Sequence, residues 1–273
     1  LAGGGGEAAV LNDQAGRHID YLRISVTDRC NFRCVYCMPP GGIALKQHDE
    51  ILSFERIAEV ARAAAGLGIS KIRLTGGEPL VRRGLPDLVA LLAPIEGIGE
   101  VSMTTNGSLL FPETARALKR AGLARVNVSL DTLDAERFRE ITRGGEIVEA
   151  VAGIVAAREA GLDPVKVNMV VFDGTTPEEI DRMRGFCGAN GLVLQTIRRF
   201  RLDGRPDESR CPHVCDRPLP CERCNKIRLT ADGFLKPCLF DDHEIPVDFE
   251  DVEGSLRRAV REKPRRGTGC VSR

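Results

Sequence analysis

The chain has 273 residues, 42% of them hydrophobic, so it can bury a sizeable core in one large domain or in a domain with a small appendage. Its 39 basic residues balance 39 acidic ones, which argues against a general binder of nucleic acids or membrane surfaces but permits a local basic pocket. No apolar run approaches the roughly 18 residues of a membrane span, and residues 1–10 lack a signal-peptide pattern, so we expect a cytoplasmic protein with no membrane or nucleic-acid partner.

Short β-branched runs alternate with amphipathic stretches from residue 19 to about residue 199. The predicted strands are 19–26, 71–75, 100–105, 125–130, 165–172 and 193–198. Helices are predicted between them at 53–67, 112–121, 135–141, 146–160 and 177–189. Such alternation indicates parallel βαβ units. Because no dinucleotide-binding fingerprint follows the first strand, we predict an α/β fold with a partial (β/α)6 TIM-type barrel.

The composition changes after residue 200. Residues 201–220 are rich in Pro, Arg and Asp and are typical of a loop, and 227–230 and 234–237 flank an Ala-Asp-Gly turn that predicts a hairpin. We therefore expect three segments: a flexible leader at 1–16, a barrel domain at 17–200, and a small C-terminal auxiliary module at 201–273.

Ten cysteines are many for a chain without a secretion signal, and in a reduced compartment clustered cysteines usually bind metals. Most of them fall into two groups, and Cys187 and Cys270 stand alone. The groups are Cys30, Cys34 and Cys37, and then Cys211, Cys215, Cys221, Cys224 and Cys238. Two groups at opposite ends of the chain predict two metal centres.

The first group forms a CxxxCxxC directly after the first predicted strand, at the end where barrel enzymes keep their active sites. Three thiolates on one short loop can ligate three irons of a [4Fe–4S] cluster. The fourth iron then stays open to chelate a small molecule and pass one electron to it. Zinc is the alternative, but zinc sites usually have four ligands, and the nearest histidine is His48.

At this point the sequence resembles the radical S-adenosylmethionine (SAM) superfamily and, more narrowly, the GTP 3',8-cyclases of molybdenum cofactor biosynthesis. The resemblance covers almost all of residues 17–172. It is carried by YLRISVTDR before CNFRCVYCMP, by KIRLTGGEP at 71–79, by MTTNG at 103–107, by RVNVSLD at 125–131 and by VKVN at 165–168.

A glycine-rich turn, Gly76-Gly77-Glu78-Pro79, follows the second strand. Two glycines permit close approach by a ligand, and Glu78 offers a carboxylate, although an ordinary strand-to-helix turn has the same composition. The resemblance implies that Gly77 and Glu78 meet the amino group of SAM and that Tyr36 and Ser129 also touch SAM. The alternative is that Ser129 and Asp131, at the end of a strand, form a helix N-cap.

Three cations lie inside otherwise β-branched strands: Arg23, Arg73 and Lys166. If all three face inward they converge and can bind an anion such as a triphosphate. The alternative is solvated surface charge, which is usual for a single Arg or Lys. The resemblance implies that these positions hold GTP together with Thr104.

The second cysteine group contains Cys221-x-x-Cys224 and, after thirteen intervening residues, Cys238. Taken alone this spacing suits a zinc ribbon about as well as a cluster. It resembles the auxiliary-cluster module of the cyclases, which implies a second [4Fe–4S] cluster whose open iron binds the guanine base. Lys226 and Arg228 then complete the substrate site.

Four departures from the family's pattern fall in the region that the resemblance assigns to substrate recognition. Lys226 replaces an arginine and cannot supply a planar bidentate fork. A methionine expected near residue 200 is absent, the connection to the second module is short and carries Cys211 and Cys215, and a terminal pair of glycines is missing.

The resemblance implies a radical SAM lyase. A reduced first cluster cleaves SAM to a 5'-deoxyadenosyl radical, which removes hydrogen from C3' of GTP, and C3' then attacks C8. The implied cofactors are two [4Fe–4S] clusters and SAM, and the implied partners are GTP and a reductant such as flavodoxin or ferredoxin. A paralogue acting on another nucleotide, sugar or peptide, with Cys211 or Cys215 completing the second cluster, is the first alternative. A non-catalytic iron–sulfur or zinc protein is the second.

Overall fold

A single sheet organises the part of the chain described by the computed structural model, residues 11–199, 215–216 and 220–267. In these residues nine strands follow the order β6-β5-β4-β3-β2-β1-β7-β8-β9. Strands β1 to β6 are parallel to their neighbours in sequence order, which is the arrangement of a partial barrel built from βαβ units. The α/β partial-barrel class predicted from the sequence is confirmed.

The strands and helices match most of the predicted boundaries. The strands are β1 Tyr21–Ser25, β2 Lys71–Thr75, β3 Glu100–Thr105, β4 Arg125–Ser129, β5 Lys166–Val171, β6 Val193–Arg198, β7 Lys226–Leu229, β8 Phe234–Lys236 and β9 Ile245–Pro246. The helices are α1 Phe54–Gly66, α2 Leu85–Leu92, α3 Pro112–Arg120, α4 Ala135–Thr142, α5 Ile147–Glu159, α6 Pro177–Ala189 and α7 Val252–Arg261.

Side-chain caps fix several helix starts. The Ser53 hydroxyl accepts from the backbone N–H of Arg56 at the start of α1, and Thr176 forms a capping box with Glu179 at the start of α6. Helices α2 and α7 were not predicted. Helix α2 has eight residues and begins after a left-handed Gly84 without a side-chain cap, so its local signal is weak.

The two faces of the parallel sheet differ in chemistry. Alternate residues such as Leu22, Ile24 and Ile72 are fully buried in the apolar core. The residues between them on each strand, which point to the opposite face, are mostly polar or charged. Parallel strands covered on both faces are usually apolar throughout. A polar second face therefore indicates that it holds a polar ligand.

The second module continues the same sheet. Strand β7 pairs in parallel with β1, and the hairpin β7–β8 and strand β9 pair antiparallel beyond it. The hairpin predicted around the Ala-Asp-Gly turn is confirmed. The domain boundary near residue 200 stays a prediction. No helix of the described residues is long and apolar enough to cross a membrane.

Residues 11–16, which we expected within the flexible leader, are ordered. Leu11 and Asp13 are buried, and Asn12 forms a β-bridge with His18. The side chain of Asp13 accepts a hydrogen bond from Arg17 Nε over 2.5 Å. The sequence did not reveal this turn, because Arg17 contacts carbonyl groups about 250 residues further along the chain.

Candidate active site

A row of three arginines crosses the polar face of the sheet. In the strand register Arg228 of β7 lies opposite Arg23 of β1, and Arg23 lies opposite Arg73 of β2. Neither Arg23 nor Arg228 has a hydrogen bond or ion pair within the described residues, and Nε of Arg73 is buried without a partner. Three adjacent guanidinium groups without a carboxylate partner form a site for a multiply charged anion.

Burial and mutual repulsion leave this row electrostatically unsatisfied. Burial, followed by repulsion from Arg228, lowers the pKa of Arg23 to about 10. The pKa values of Arg73 and Arg228 are lowered, mainly by burial. The ring of Tyr21 lies 5.8 Å from the guanidinium of Arg73 and 5.4 Å from Nζ of Lys226, so it contacts a cation on each side. An incoming polyanion would relieve the repulsion.

The polar face continues across β3, β4 and β5. Nη1 of Arg73 donates to the hydroxyl of Thr104 over 3.4 Å. Thr104 is in register with Asn127, and Asn127 is in register with Lys166. Because the register places Lys166 on the polar face, the structure brings it onto the same surface as Arg23 and Arg73, as the sequence predicted.

The two cysteine groups lie at opposite ends of β1. Cys30, Cys34 and Cys37 follow the carboxyl end of β1, at Ser25. Cys221 and Cys224 precede the amino end of the parallel strand β7, and Cys238 follows the antiparallel strand β8, so these three share the other edge. The arginine row occupies the strand residues between these two edges.

The first cysteine loop carries three thiols that affect one another. Burial, together with the charges of Asp131, Cys37 and Cys30, raises the pKa of Cys34 to about 12. Burial also raises the pKa values of Cys30 and Cys37. Cationic iron would remove this penalty, because metal binding drives deprotonation of its thiol ligands.

The donor set of the first loop, three cysteines, is of the kind that holds a four-iron cluster. Within the described residues, no group of three or more His, Cys, Asp or Glu side chains is arranged around one metal ion. The thiolates of a [4Fe–4S] cluster each bind a different iron, so their sulfurs lie farther apart than the ligands of a zinc ion. The first loop offers three cysteines and no histidine, which are the ligand types of a [4Fe–4S] cluster.

The glycines at 76 and 77 are required by the chain's own backbone. A Cβ atom on Gly77 would lie 2.2 Å from the carbonyl oxygen of Arg29, and one on Gly76 would lie 2.7 Å from that of Thr27. The N–H of Gly77 donates to Thr27 O, and the N–H of Glu78 donates to Arg29 O, both over 2.8 Å. The sequence suggested close approach by a ligand; the close approach observed is that of the cysteine loop.

Glu78 is 1% exposed and connects neighbouring strand ends. Its Oε1 accepts from the Thr105 hydroxyl over 2.6 Å, and its Oε2 accepts from the Asn106 N–H over 2.7 Å. Burial raises the pKa of Glu78, and these hydrogen bonds oppose the rise. Glu78 therefore holds the β3 end in place, and Oε2 keeps acceptor capacity for an ammonium group.

Tyr36 and Ser129 lie at the carboxyl end of the sheet, as predicted. The Tyr36 hydroxyl donates to Asp131 Oδ2 over 3.0 Å, and its ring packs 5.8 Å from that of Phe172. The Ser129 hydroxyl is half-buried and has no hydrogen-bond partner within the described part of the chain, so it can donate to a ligand. Asp131, which was expected only as a possible helix cap, instead anchors Tyr36.

The second cysteine group combines burial with nearby cations. Burial acts to raise the pKa of Cys224, but Lys263 and Lys226 outweigh it, and the pKa is lowered. Cys238 Sγ accepts from the Phe240 N–H over 3.4 Å. Cys221 is disulfide-bonded in the structure and must be reduced before it can bind iron. Lys226 lies beside Tyr21 at the start of β7.

Two surplus cysteines lie in or beside α6. Cys187 is 2% exposed within α6, and burial raises its pKa to about 11, so it is a core residue. Cys215 lines a cavity with Ile180 and Leu194, beside α6 and β6. Cys211 and Cys270 lie outside the described residues.

Sequence reasoning missed two buried cations near the second cysteine group, Arg17 and Lys263. Each donates to backbone carbonyls next to cysteines, and neither belongs to a recognisable motif. It also missed the role of Asn106, which bridges Glu78 and Asn31 of the cysteine loop, although Asn106 stands in the Thr-Thr-Asn-Gly motif.

Comparison with known proteins gives consistent matches. The Radical SAM superfamily matches residues 24–187. A GTP 3',8-cyclase of Peptoclostridium acidaminophilum is 40% identical over 94% of this chain and 93% of its own length. The GTP 3',8-cyclase of Moorella thermoacetica is 43% identical over 92% of this chain and 89% of its own length.

Solved structures show the same fold at low sequence identity. Streptococcus suis SuiB bound to S-adenosylmethionine superposes with a TM-score of 0.69 and 15% identity. It aligns with 92% of this chain, which spans only 66% of SuiB. The structure of anSMEcpe with bound AdoMet has a TM-score of 0.64 and 13% identity over 90% of this chain and 78% of anSMEcpe.

Proposed function

Because the chain belongs to the radical SAM superfamily and, within it, to the family of GTP 3',8-cyclases, we propose that it cyclises GTP to (8S)-3',8-cyclo-7,8-dihydroguanosine 5'-triphosphate in molybdenum cofactor biosynthesis. The observation that best supports this substrate is the row Arg228–Arg23–Arg73 between the two cysteine groups. A triphosphate carries the negative charge that would compensate the three arginines of this row. SAM and an iron–sulfur cluster are the cofactors of the superfamily.

Cys30, Cys34 and Cys37 would hold the first [4Fe–4S] cluster, which with SAM supplies a 5'-deoxyadenosyl radical that abstracts hydrogen from the substrate. Oε2 of Glu78, which already accepts one hydrogen bond from Asn106 N–H, accepts a second from the amino group of SAM. Ser129 offers a hydroxyl at the end of β4, and Tyr36 forms a wall held by Asp131. These residues orient the ligand and keep water away from it.

The polar face would orient the nucleotide. Arg23, Arg73 and Lys166 bind the triphosphate, with Thr104 fixing the guanidinium of Arg73. Cys221, Cys224 and Cys238 would hold a second [4Fe–4S] cluster with one iron open to the guanine base, and Lys226 and Arg228 lie next to that edge. The triphosphate then lies at mid-strand, and the ribose and base lie between the two cysteine groups.

A soluble one-electron reductant of the flavodoxin or ferredoxin class is the proposed partner. Cleavage of SAM consumes one electron. Closure of the C3'–C8 bond leaves one unpaired electron on the nucleotide, so the product requires a further electron and a proton. A paralogue with a fully ligated second cluster is the alternative; of its two candidate extra ligands, Cys215 lines a cavity beside α6 and Cys211 lies outside the described residues.

The function is tested with the reconstituted protein, dithionite, SAM and GTP deuterated at C3'. We expect one deuterium in the 5'-deoxyadenosine and a cyclised nucleotide of matching amount, and no transfer from GTP deuterated at C2'. Formation of 5'-deoxyadenosine without either deuterium transfer or cyclised product would indicate a different substrate.

A further inference from the structure

Lys263 follows α7 and is 3% exposed. Its Nζ donates to Lys226 O over 2.9 Å and to Pro237 O over 2.7 Å. Lys226 begins β7 just after Cys224, and Pro237 immediately precedes Cys238. One ammonium group therefore joins the two loops that carry these cysteines.

The charge of Lys263 has no carboxylate partner within the described residues. Burying an ammonium group is costly unless an anion and hydrogen bonds compensate for the lost water. Burial lowers the pKa of Lys263, and the sulfurs of Cys224 and Cys238 act against that effect. Two backbone carbonyls and the neighbouring sulfurs therefore surround the ammonium group of Lys263.

Arg17 strengthens the same arrangement from the other side. Its guanidinium donates to Cys221 O over 2.8 Å and to Pro264 O over 2.7 Å. The segment after Pro264 then passes Cys238 closely, because a Cβ atom on Gly267 would lie 2.7 Å from Cys238 Sγ. Unlike Lys263, Arg17 has its own carboxylate, Asp13, so Lys263 is the cation without a carboxylate partner that bonds to both cysteine loops.

We infer that Lys263 is a positioning residue of the second cluster, which ties its cysteine loops together and supplies a positive charge that stabilises the reduced cluster. The inference rests on the proposed function in assigning a cluster to Cys221, Cys224 and Cys238. Net charge and hydrogen bonds to the sulfurs set the reduction potential of such clusters. Reduction adds a negative charge, and a buried cation nearby stabilises it, so Lys263 raises the potential.

The test uses the full chain with Cys30→Ala, Cys34→Ala and Cys37→Ala, so that only the second cluster assembles. Lys263→Gln can still donate hydrogen bonds but carries no charge, and Lys263→Arg keeps the charge. Lys119→Gln is the matched control, because Lys119 Nζ also donates to a backbone carbonyl, that of Gly161, but is exposed on α3. Iron and sulfide content and an EPR-monitored redox titration are measured for each.

We expect Lys263→Gln to keep its cluster at a lower potential than the parent, and Lys263→Arg and Lys119→Gln to titrate near the parent. Loss of the cluster in Lys263→Gln with its recovery in Lys263→Arg also supports the inference. An unchanged potential in Lys263→Gln, or loss of the cluster in both Lys263 variants, overturns it. The titration contains no GTP, so a failed cyclase assay leaves its result standing. If the wild type forms the cyclised product but Lys263→Gln has the reduction potential of the parent, only the inference about Lys263 is refuted.

Discussion

The phenolic hydroxyl of Tyr36 donates a hydrogen bond to Oδ2 of Asp131 over 3.0 Å, which ties the first cysteine loop to the end of β4. Asp131 Oδ1 accepts in turn from the N–H of Val170 on β5 over 2.8 Å. Burial raises the pKa of Asp131 to about 6 from its ordinary 3.8, although both hydrogen bonds favour the ionised form. The loop is therefore anchored on a carboxylate that is costly to ionise.

This cost predicts a pH-dependent effect of Asp131→Asn. The folded chain binds more protons than the unfolded chain between about pH 4 and about pH 6, so the wild type loses stability as pH rises through that window. Asn can still accept from Val170 and donate to Tyr36, without the charge. Urea unfolding of the cluster-free protein should show the variant gaining on the wild type by on the order of 3 kcal/mol from pH 4 to pH 7. A constant difference across this range would contradict the assignment.

Gly77→Ala should separate the cysteine loop from β2. The new methyl group would lie 2.2 Å from Arg29 O and 2.5 Å from Arg29 C, and backbone atoms cannot rotate away as a side chain can. We expect a loss of about 1–3 kcal/mol in the free energy of unfolding, measured by chemical denaturation. Iron analysis should show loss of the first cluster before the second.

Gly174→Ala is the control for that substitution, because a Cβ atom at Gly174 meets nothing within 4 Å. It should leave stability and iron content close to wild type. Equal effects of the two substitutions would mean that the contact with Arg29 is not the cause.

Arg23→Met should weaken nucleotide binding while making the nucleotide-free protein more stable. Burial and the charge of Arg228 both oppose the charged form of Arg23, so removing the charge relieves a repulsion. A charge-assisted contact to the triphosphate is worth about 1.5–3 kcal/mol, which is roughly a tenfold to hundredfold loss of GTP affinity. Calorimetry measures the affinity and thermal unfolding the stability.

Arg62→Met on the exposed side of α1 should change neither quantity. If Arg23→Met lowers stability and leaves GTP affinity unchanged, Arg23 is a structural residue and not an anion ligand.

Cys30→Ala and Cys187→Ala should behave oppositely although both remove one thiol. Cys30 shares a loop with two interacting thiols, whereas Cys187 is a buried core residue of α6. Cys30→Ala should abolish 5'-deoxyadenosine formation and remove about one cluster of iron and sulfide. Cys187→Ala should keep both clusters and lose only stability, by about 1 kcal/mol for the small cavity. A chromatographic assay of 5'-deoxyadenosine distinguishes the two variants. Full SAM cleavage by Cys30→Ala would contradict the assignment of the first cluster to this loop.

Local pattern was sufficient for the parallel barrel strands and for the first cysteine loop. The predicted bounds of β2, β3 and β6 agree with the structure, because alternation with period two and the following helix caps are short-range signals. The order of Cys30, Cys34 and Cys37 after β1 placed them at the carboxyl edge. The period also put Arg23 and Arg73 on one face, since each is the third residue of its strand.

The sequence by itself therefore determined the parallel α/β architecture and the three-cysteine loop, and it left open whether the strand cations face inward or into solvent. Only the tertiary structure decided that β7 lies beside β1, so that Arg228 stands next to Arg23, that Tyr36 bonds to Asp131, and that Lys263 bonds to the carbonyl of Pro237 beside Cys238. Strand period and motif spacing depend on neighbours within a few residues. Pairing across about 200 residues depends on which buried backbone and charged groups can satisfy one another once the chain is folded, and no local spacing encodes that choice.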